Sequence, residues 1–269
     1  MRLLLPGAGR PSGGELSPAR IAGLYAYPSR DRPWIRANMV ESADGAASVS
    51  GRSRGLSSPA DRLVFALLRS LADVILVGAQ TARAERYQPV RPSEVRPELR
   101  SGRPATPPIA VVSRRLDLDP DAALFTAAPP GARTIVITTE LAPAPRRAEL
   151  SRYADVVVAG AETVDLRSAV AALAARGHRR VLSEGGPHLL GELTDAGLLD
   201  ELCLTISPLL AGPGANRIIA RLGLDDRAPD GRDGVPLRLG HVLEDGGFLL
   251  CRYTADPVNE PPPGPARPG

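Results

Sequence analysis

The chain of 269 residues contains no lysine; all 33 of its basic residues are arginine. That absence excludes whole classes of chemistry. No Schiff base can form to pyridoxal phosphate or to a carbonyl substrate. No Walker-type phosphate lysine exists, which excludes a P-loop kinase. Histidine is nearly as scarce: His178, His188 and His241 are far apart, and no HExxH or CxxC spacing occurs, so no metal centre is expected. The only two cysteines, Cys203 and Cys251, fall in apolar alternating segments and read as reduced core thiols. Aromatic residues supply 3% of the chain, so Leu, Val, Ile and Ala must fill the core. No apolar run reaches the roughly 18 residues of a membrane span, and the opening Met1-Arg2-Leu3-Leu4-Leu5-Pro6 is too short for a signal sequence. A soluble, cytoplasmic protein is expected.

What is present points to an enzyme. Hydrophobic residues make up 43% of the chain, enough for one large α/β domain. The formal charge of +3 and a pI near 9.2 invite a nucleic-acid reading. The arginines are scattered, however, without aromatics between them to stack bases, so a solvated basic surface is expected. The most informative stretch is Leu182-Ser183-Glu184-Gly185-Gly186-Pro187-His188-Leu189-Leu190. It reads as a strand end, a two-glycine turn and a helix opened by proline. Glycine lets the backbone approach a ligand, and Pro187 suits the first helical position. Free N–H groups and the positive helix end then suit a dinucleotide pyrophosphate. A side chain at Gly186 is expected to occupy the pyrophosphate's place. A second glycine cluster, Gly7, Gly9 and Gly13 after Leu3-Leu4-Leu5, mimics a dinucleotide fingerprint but has the wrong spacing and no apolar helix behind it.

Along the chain, residues 1–33 read as an irregular lead-in. Strands are expected at 34–40, 73–78, 109–113, 134–138, 155–159 and 180–183, with late strands at 202–207 and 248–253. Ser58 and Pro59 open a helix whose Leu63, Val64, Leu67, Leu68 and Leu71 recur at helical spacing. A short helix follows Gly78, and another carries Leu166, Val170 and Leu173 up to Gly177. Residues 88–108 are proline-rich and read as a surface loop. The reductase domain is placed at 34–254 and the proline-rich tail, 255–269, as disordered. This alternation predicts an α/β fold, a mainly parallel sheet flanked by helices with antiparallel C-terminal strands.

Several segments together resemble the reductase domain of riboflavin biosynthesis, with its dihydrofolate-reductase-like fold. They are Arg36-Ala37-Asn38 running to Ser42-Ala43-Asp44-Gly45, then Arg69, then Ile75-Leu76-Val77-Gly78-Ala79-Gln80-Thr81, then the glycine turn through Gly191, then Leu199-Asp200-Glu201-Leu202. The resemblance implies NADPH as cofactor and reduction of 5-amino-6-(5-phosphoribosylamino)uracil at the sugar C1′. Members that also deaminate carry an HxE and PCxxC domain ahead of the reductase; no such signature occurs here, so a stand-alone reductase is expected. By resemblance, Val77, Gly78, Ala79, Gln80 and Thr81 line the nicotinamide side. Gly185, Gly186, Pro187, His188, Leu189 and Leu190 cradle the pyrophosphate, and Ser113 and Arg114 meet the adenosine ribose and its 2′-phosphate.

The same resemblance places Asn38, Ser53, Arg69, Arg91 and Glu184 on the phosphorylated pyrimidine. An arginine pair suits a phosphate, and the Glu184 carboxylate can accept from a ring N–H. Two positions depart from the family: Asn38 stands where many members have lysine, and Glu85 where many have aspartate. Glu85, a few residues past the nicotinamide turn, is expected as the general acid in a partly dry cleft, against the alternative that it pairs with Arg83 or Arg86. A dihydrofolate or dihydropterin reductase and a non-catalytic NADPH-binding module are the alternatives. A homodimer is expected, because the late strands would otherwise leave an apolar sheet edge exposed; no nucleic-acid or membrane partner is expected.

Overall fold

The short apolar runs become neighbours in one ten-stranded sheet in the computed structural model, which describes residues 1–5, 14–220 and 234–255. The strands are β1 (Arg2–Leu5), β2 (Trp34–Ser42), β3 (Val74–Gly78), β4 (Ile109–Val112), β5 (Ile135–Thr138), β6 (Asp155–Val158), β7 (Arg180–Ser183), β8 (Glu201–Ser207), β9 (Leu237–Asp245) and β10 (Phe248–Ala255). The helices are α1 (Pro18–Leu24), α2 (Pro59–Leu71), α3 (Ala79–Ala84), α4 (Ala123–Thr126), α5 (Ala144–Leu150), α6 (Leu166–Ala175) and α7 (Pro187–Asp195). Across the sheet the order is β1-β9-β10-β8-β2-β7-β3-β4-β5-β6. From β8 to β6 every neighbouring pair is parallel, and β10, β9 and β1 are added antiparallel. The fold class is the expected one.

Parallel strands need crossovers, so helices cover both faces and the strands are buried on both sides. In β3, Ile75 and Val77 pack with Ile21 of α1 and Val64, Leu67 and Leu68 of α2. Val74 and Leu76 face the other way, among Leu173 of α6 and Leu189 and Leu193 of α7. Helix α2 starts as its sequence requires: the Ser58 hydroxyl accepts from the Asp61 N–H at 3.1 Å, and Pro59 takes the first helical position. Its last turn is closed by two guanidiniums from the proline-rich segment. Arg100 donates to the Ser70 and Ala72 carbonyls at 3.1 and 2.9 Å, and Arg103 to those of Leu71 and Ala72 at 2.8 and 3.0 Å. These are the carbonyls a helix end leaves without partners, at its negative pole. Residues 88–108 are thus not a detached surface loop: Val90, Val95, Arg100 and Thr106 are buried.

Two further expectations need correction. The lead-in is not irregular: β1 extends the sheet beside β9, and α1 buries Ile21 and Ala22 under α2. Helix α1 opens on Ser17-Pro18, the cap signature that marks α2, with the Ser17 hydroxyl accepting from the Arg20 N–H. Strand β9 stands between the two late strands in sequence and beside β10 in space. Gly246 and Gly247, both at positive φ, make the two-residue turn that joins β9 to β10. The late strands therefore do not form an edge, since β10 lies between β8 and β9 and β1 covers β9. The glycine cluster of Gly7, Gly9 and Gly13 and the tail beyond Ala255 lie outside the described residues.

Where β2, β8 and β10 meet, charge is buried in the sheet. Arg36 and Glu201 are both fully buried and paired twice, Nε to Oε1 at 2.7 Å and Nη2 to Oε2 at 3.1 Å. Arg252 grips the same carboxylate with the same pair of distances, and the Trp34 indole donates to Oε2 at 3.0 Å. Tyr27 lies under the Arg36 guanidinium at 4.0 Å. Burial by itself would raise the Glu201 carboxyl, but the two guanidiniums outweigh it and hold it at about 2.

A group whose pKa is depressed by folding contributes stability above its ordinary value and loses it as pH falls toward the folded one. For Glu201 that window runs from about 4.5 down to about 2. Glu201→Ala strands Arg36 without a partner in the core and is expected to cost about 3–5 kcal/mol at neutral pH. Denaturant melts of the two proteins between pH 2 and 7 check this: the gap should narrow below about pH 4.5. A constant gap, or one below about 1 kcal/mol, refutes the assignment.

Candidate active site

The parallel pairing of β3 with β7 sets Leu76 opposite Ser183, so the turns after both strands emerge side by side at the carboxyl edge of the sheet. Backbone bonds lock them together: the Glu184 N–H donates to the Leu76 carbonyl and the Gly78 N–H to the Gly185 carbonyl, both at 3.0 Å. Carboxyl edges of this kind are where open α/β sheets take ligands. Gly185 has φ +90°, and a Cβ there would lie 3.1 Å from the Met39 sulfur. Gly186 caps α7 with no side-chain partner, and Pro187 follows it, so the next N–H groups point outward unpaired by the helix.

The ten residues expected around the cofactor besides Ser113, Arg114 and Gly185 converge here through β3, α3 and α7. Val77, Leu189 and Leu190 put their side chains into the core, leaving only backbone for a ligand. Gly78, Ala79 and Thr81 are half-buried at the start of α3, and Gln80 and His188 are exposed. Ser113 is buried at the end of β4 beside exposed Arg114. One acid was not foreseen: Glu192 of α7 lies within electrostatic reach of His188 and Arg114, and burial raises its carboxyl despite both. The Ser183 hydroxyl, fully buried, has no hydrogen-bond partner among the described residues. Along the same rim, Asp44 ties strand β2 to the chain beyond β8. The Ser42 hydroxyl and the Ala211 and Gly212 N–H groups hold its carboxyl at about 2.

On the α2 side two of the expected substrate residues, Arg69 and Glu184, meet each other, while Asn38, Ser53 and Arg91 find other partners. Arg69 is buried, not on the surface, and grips Glu184 from Nε and Nη2 at 2.7 and 2.8 Å. Its guanidinium stacks over Phe65 at 4.3 Å. Tyr87, absent from the sequence reading, donates to Glu184 Oε2 at 2.8 Å. The Glu184 side chain is 2% exposed, so it is a partnered anchor and not the open acceptor the motif suggested. Glu85 also differs from expectation. It is exposed, outside any dry cleft, and accepts from the Ser53 N–H and hydroxyl at 3.3 and 3.2 Å. Arg83 turns instead to Asp117. Arg91 is exposed and meets Glu94, another residue the sequence reading missed. Its signal was available: a Glu three positions after the start of a Pro-opened turn has capping-box spacing. Asn38 is half-buried on β2 beside Cys203 of β8, and both cysteines are free and buried.

Comparison with known proteins places the chain in a family. Residues 33–247 match the family model described as the RibD C-terminal domain. The chain is 30% identical over 228 residues to the 2,5-diamino-6-ribosylamino-4(3H)-pyrimidinone 5′-phosphate reductase of Methanothermobacter thermautotrophicus, covering 83% of this chain and 98% of that protein. A reductase of the same name from Archaeoglobus fulgidus is 30% identical over 67% of this chain and 83% of its own length. Among solved structures, a pyrimidine reductase-like protein of Corynebacterium diphtheriae superposes with a TM-score of 0.72 at 29% identity, covering 83% of this chain and 92% of that one.

The glycine turn yields a test that departs from the sequence expectation. A Cβ on Gly186 meets the Thr81 hydroxyl at 2.3 Å, so the first obstacle is α3, not a ligand. Gly186→Ala should destabilise the protein by about 1–3 kcal/mol, as overpacking does. Adding Thr81→Ala leaves a Cβ contact of 3.6 Å and should recover part of the loss. Thermal melts of the two single variants and the double variant decide it; strictly additive losses would show that the two side chains do not compete.

Proposed function

Because the chain belongs to the RibD C-terminal domain family, we propose that it is an NADPH-dependent reductase of riboflavin biosynthesis that opens the ribose of a phosphoribosylaminopyrimidine to a ribityl chain. One observation carries the reading: the free N-terminus of α7 and the buried Arg69–Glu184 pair lie on a single carboxyl edge, joined through the Glu184-Gly185-Gly186 turn. The names of its relatives favour the 2,5-diamino-pyrimidinone as substrate, whereas the family resemblance implied the aminouracil. The two rings differ at one substituent, which the departures at Asn38 and Glu85 do not by themselves select.

The donor set fits a nicotinamide dinucleotide. Gly185 and Gly186 give the backbone access that a pyrophosphate requires, the α7 N–H groups supply donors, and the unpartnered Ser183 hydroxyl adds a polar contact at the strand end. Arg114 offers a guanidinium to a 2′-phosphate. When bound, the nicotinamide supplies the hydride. The chain's residues do the rest. Arg69 and Arg91 hold the phosphate, and Glu184, braced by Tyr87, fixes Arg69. We assign proton transfer to the nitrogen of the opened sugar to Glu85, which is steadied by Ser53 and open to solvent, so the proton it relays comes from water. The reading includes a cytoplasmic homodimer. Half-buried Met39, Leu204, Ile218, Ile219 and Tyr253 support it, gathered on one side of β2, β8 and β10.

NADPH oxidation with the diamino-pyrimidinone phosphate, the aminouracil phosphate and dihydrofolate tests the function. Turnover of either pyrimidine is expected, and turnover of dihydrofolate alone rejects the reading. NADPH should be preferred to NADH, with Arg114→Ala raising the NADPH KM about 10- to 100-fold; equal use of both cofactors would count against that contact. Glu85→Gln should lower kcat by about 10²–10⁴ with little change in NADPH affinity. Wild-type kcat in that variant across pH 6–8 would return the proton to water. Light scattering should give twice 28.2 kDa, and a monomer mass at micromolar concentration would exclude the dimer.

A further inference from the structure

Arg69 and Arg91 come from α2 and from the proline-rich segment, and a single carboxylate lies between them. Glu94 Oε2 accepts from the Arg91 N–H at 2.8 Å and Oε1 from Arg91 Nη2 at 3.1 Å, while Oε2 is 3.8 Å from Arg69 Nη1. Arg69 is immobilised from behind. Its Nε and Nη2 are bound to Glu184 and its face lies on Phe65, so Nη1 is the edge these contacts leave. The other two partners are open to water, with the Arg91 side chain 68% and that of Glu94 32% exposed. The three groups thus form a fixed guanidinium, an exposed guanidinium and an anion seated between them.

We propose that Glu94 is an internal anion that keeps Arg69 and Arg91 together and that a substrate phosphate displaces when it binds. The inference rests on the reading of this pair as the phosphate site. Exposed ion pairs of the Glu94 kind are worth little, and a dianionic phosphoryl group presents three oxygens to guanidinium forks. Phosphate therefore wins the exchange, but with an affinity reduced by the carboxylate it must move. That reduction matters for turnover, because the product carries the same phosphate as the substrate and has to leave. The bond from the Arg91 N–H to Glu94 also caps a local turn, and that role alone predicts no effect on phosphate.

Calorimetric titration of the full chain with inorganic phosphate separates the two. Glu94→Gln should tighten the phosphate Kd about three- to tenfold, and adding Arg91→Ala should abolish the gain. Glu94→Asp, which retracts the charge by one methylene, should shift affinity in the same direction by less, and serves if the Gln variant does not fold. In steady state, Glu94→Gln should lower KM for the phosphorylated pyrimidine by a similar factor and leave KM for the unphosphorylated riboside unchanged. Unchanged or weaker phosphate binding in both Glu94 variants overturns the proposal, as does a gain that survives loss of Arg91. If wild type reduces neither pyrimidine while the phosphate results hold, the substrate reading fails and the role of Glu94 stands. If wild type turns over and phosphate affinity does not respond, Glu94 alone is refuted.

Discussion

The register of β3 against β7 is the constraint on which the candidate site depends. With Leu76 opposite Ser183, the turns beginning at Gly78 and Glu184 leave the sheet at one height and bond to each other through backbone. A slip by one residue would turn every β7 side chain to the other face, taking Leu182 out of the α2-side core. It would also carry Gly186 away from Thr81, whose hydroxyl accepts the Gly186 N–H at 3.2 Å. The site is therefore a consequence of core packing two residues deeper in the sheet.

Arginine does in this protein what lysine and histidine do in many others, and its planar fork explains how. At Glu201 two guanidiniums share one carboxylate inside the sheet, each by a two-point contact that a point charge could not reproduce. At the end of α2, Arg100 and Arg103 spread their donors over several carbonyls at once. At the site, Arg69 repeats the two-point grip on Glu184. The three uses are linked. The α2 cap fixes the helix that carries Arg69, and Ser70, next to it, accepts from the Arg96 N–H, binding the proline-rich segment with Arg91 and Glu94 to the same helix end.

The candidate site was legible in parts. The glycine turn and Pro187 announce themselves because they are local: each residue's backbone preference is enough to place it. Arg69 and Glu184 were named as separate substrate contacts, and in the structure they are each other's main partners. Nothing in a linear sequence shows that residues 115 positions apart share a bidentate pair. Tyr87 was missed for the same reason, since its partner lies across the sheet edge. Glu85 was given a dry cleft that burial does not provide, because proximity in sequence to the nicotinamide turn says nothing about solvent.

What the sequence determined by itself were the features set by short-range physics. The continuous Val74–Gly78 run, the Ser58-Pro59 start of α2 and the Gly185-Gly186 turn follow from burial, capping and backbone freedom within a few residues. Tertiary structure decided the rest. It made a strand of Arg2–Leu5, too short to hold itself, by pairing it with β9. It placed β9 and β10 so that no late strand is left as an edge. It also settled which charges are buried together, because the cost of an unpaired ion in the core is met only by a partner brought from a distant part of the chain.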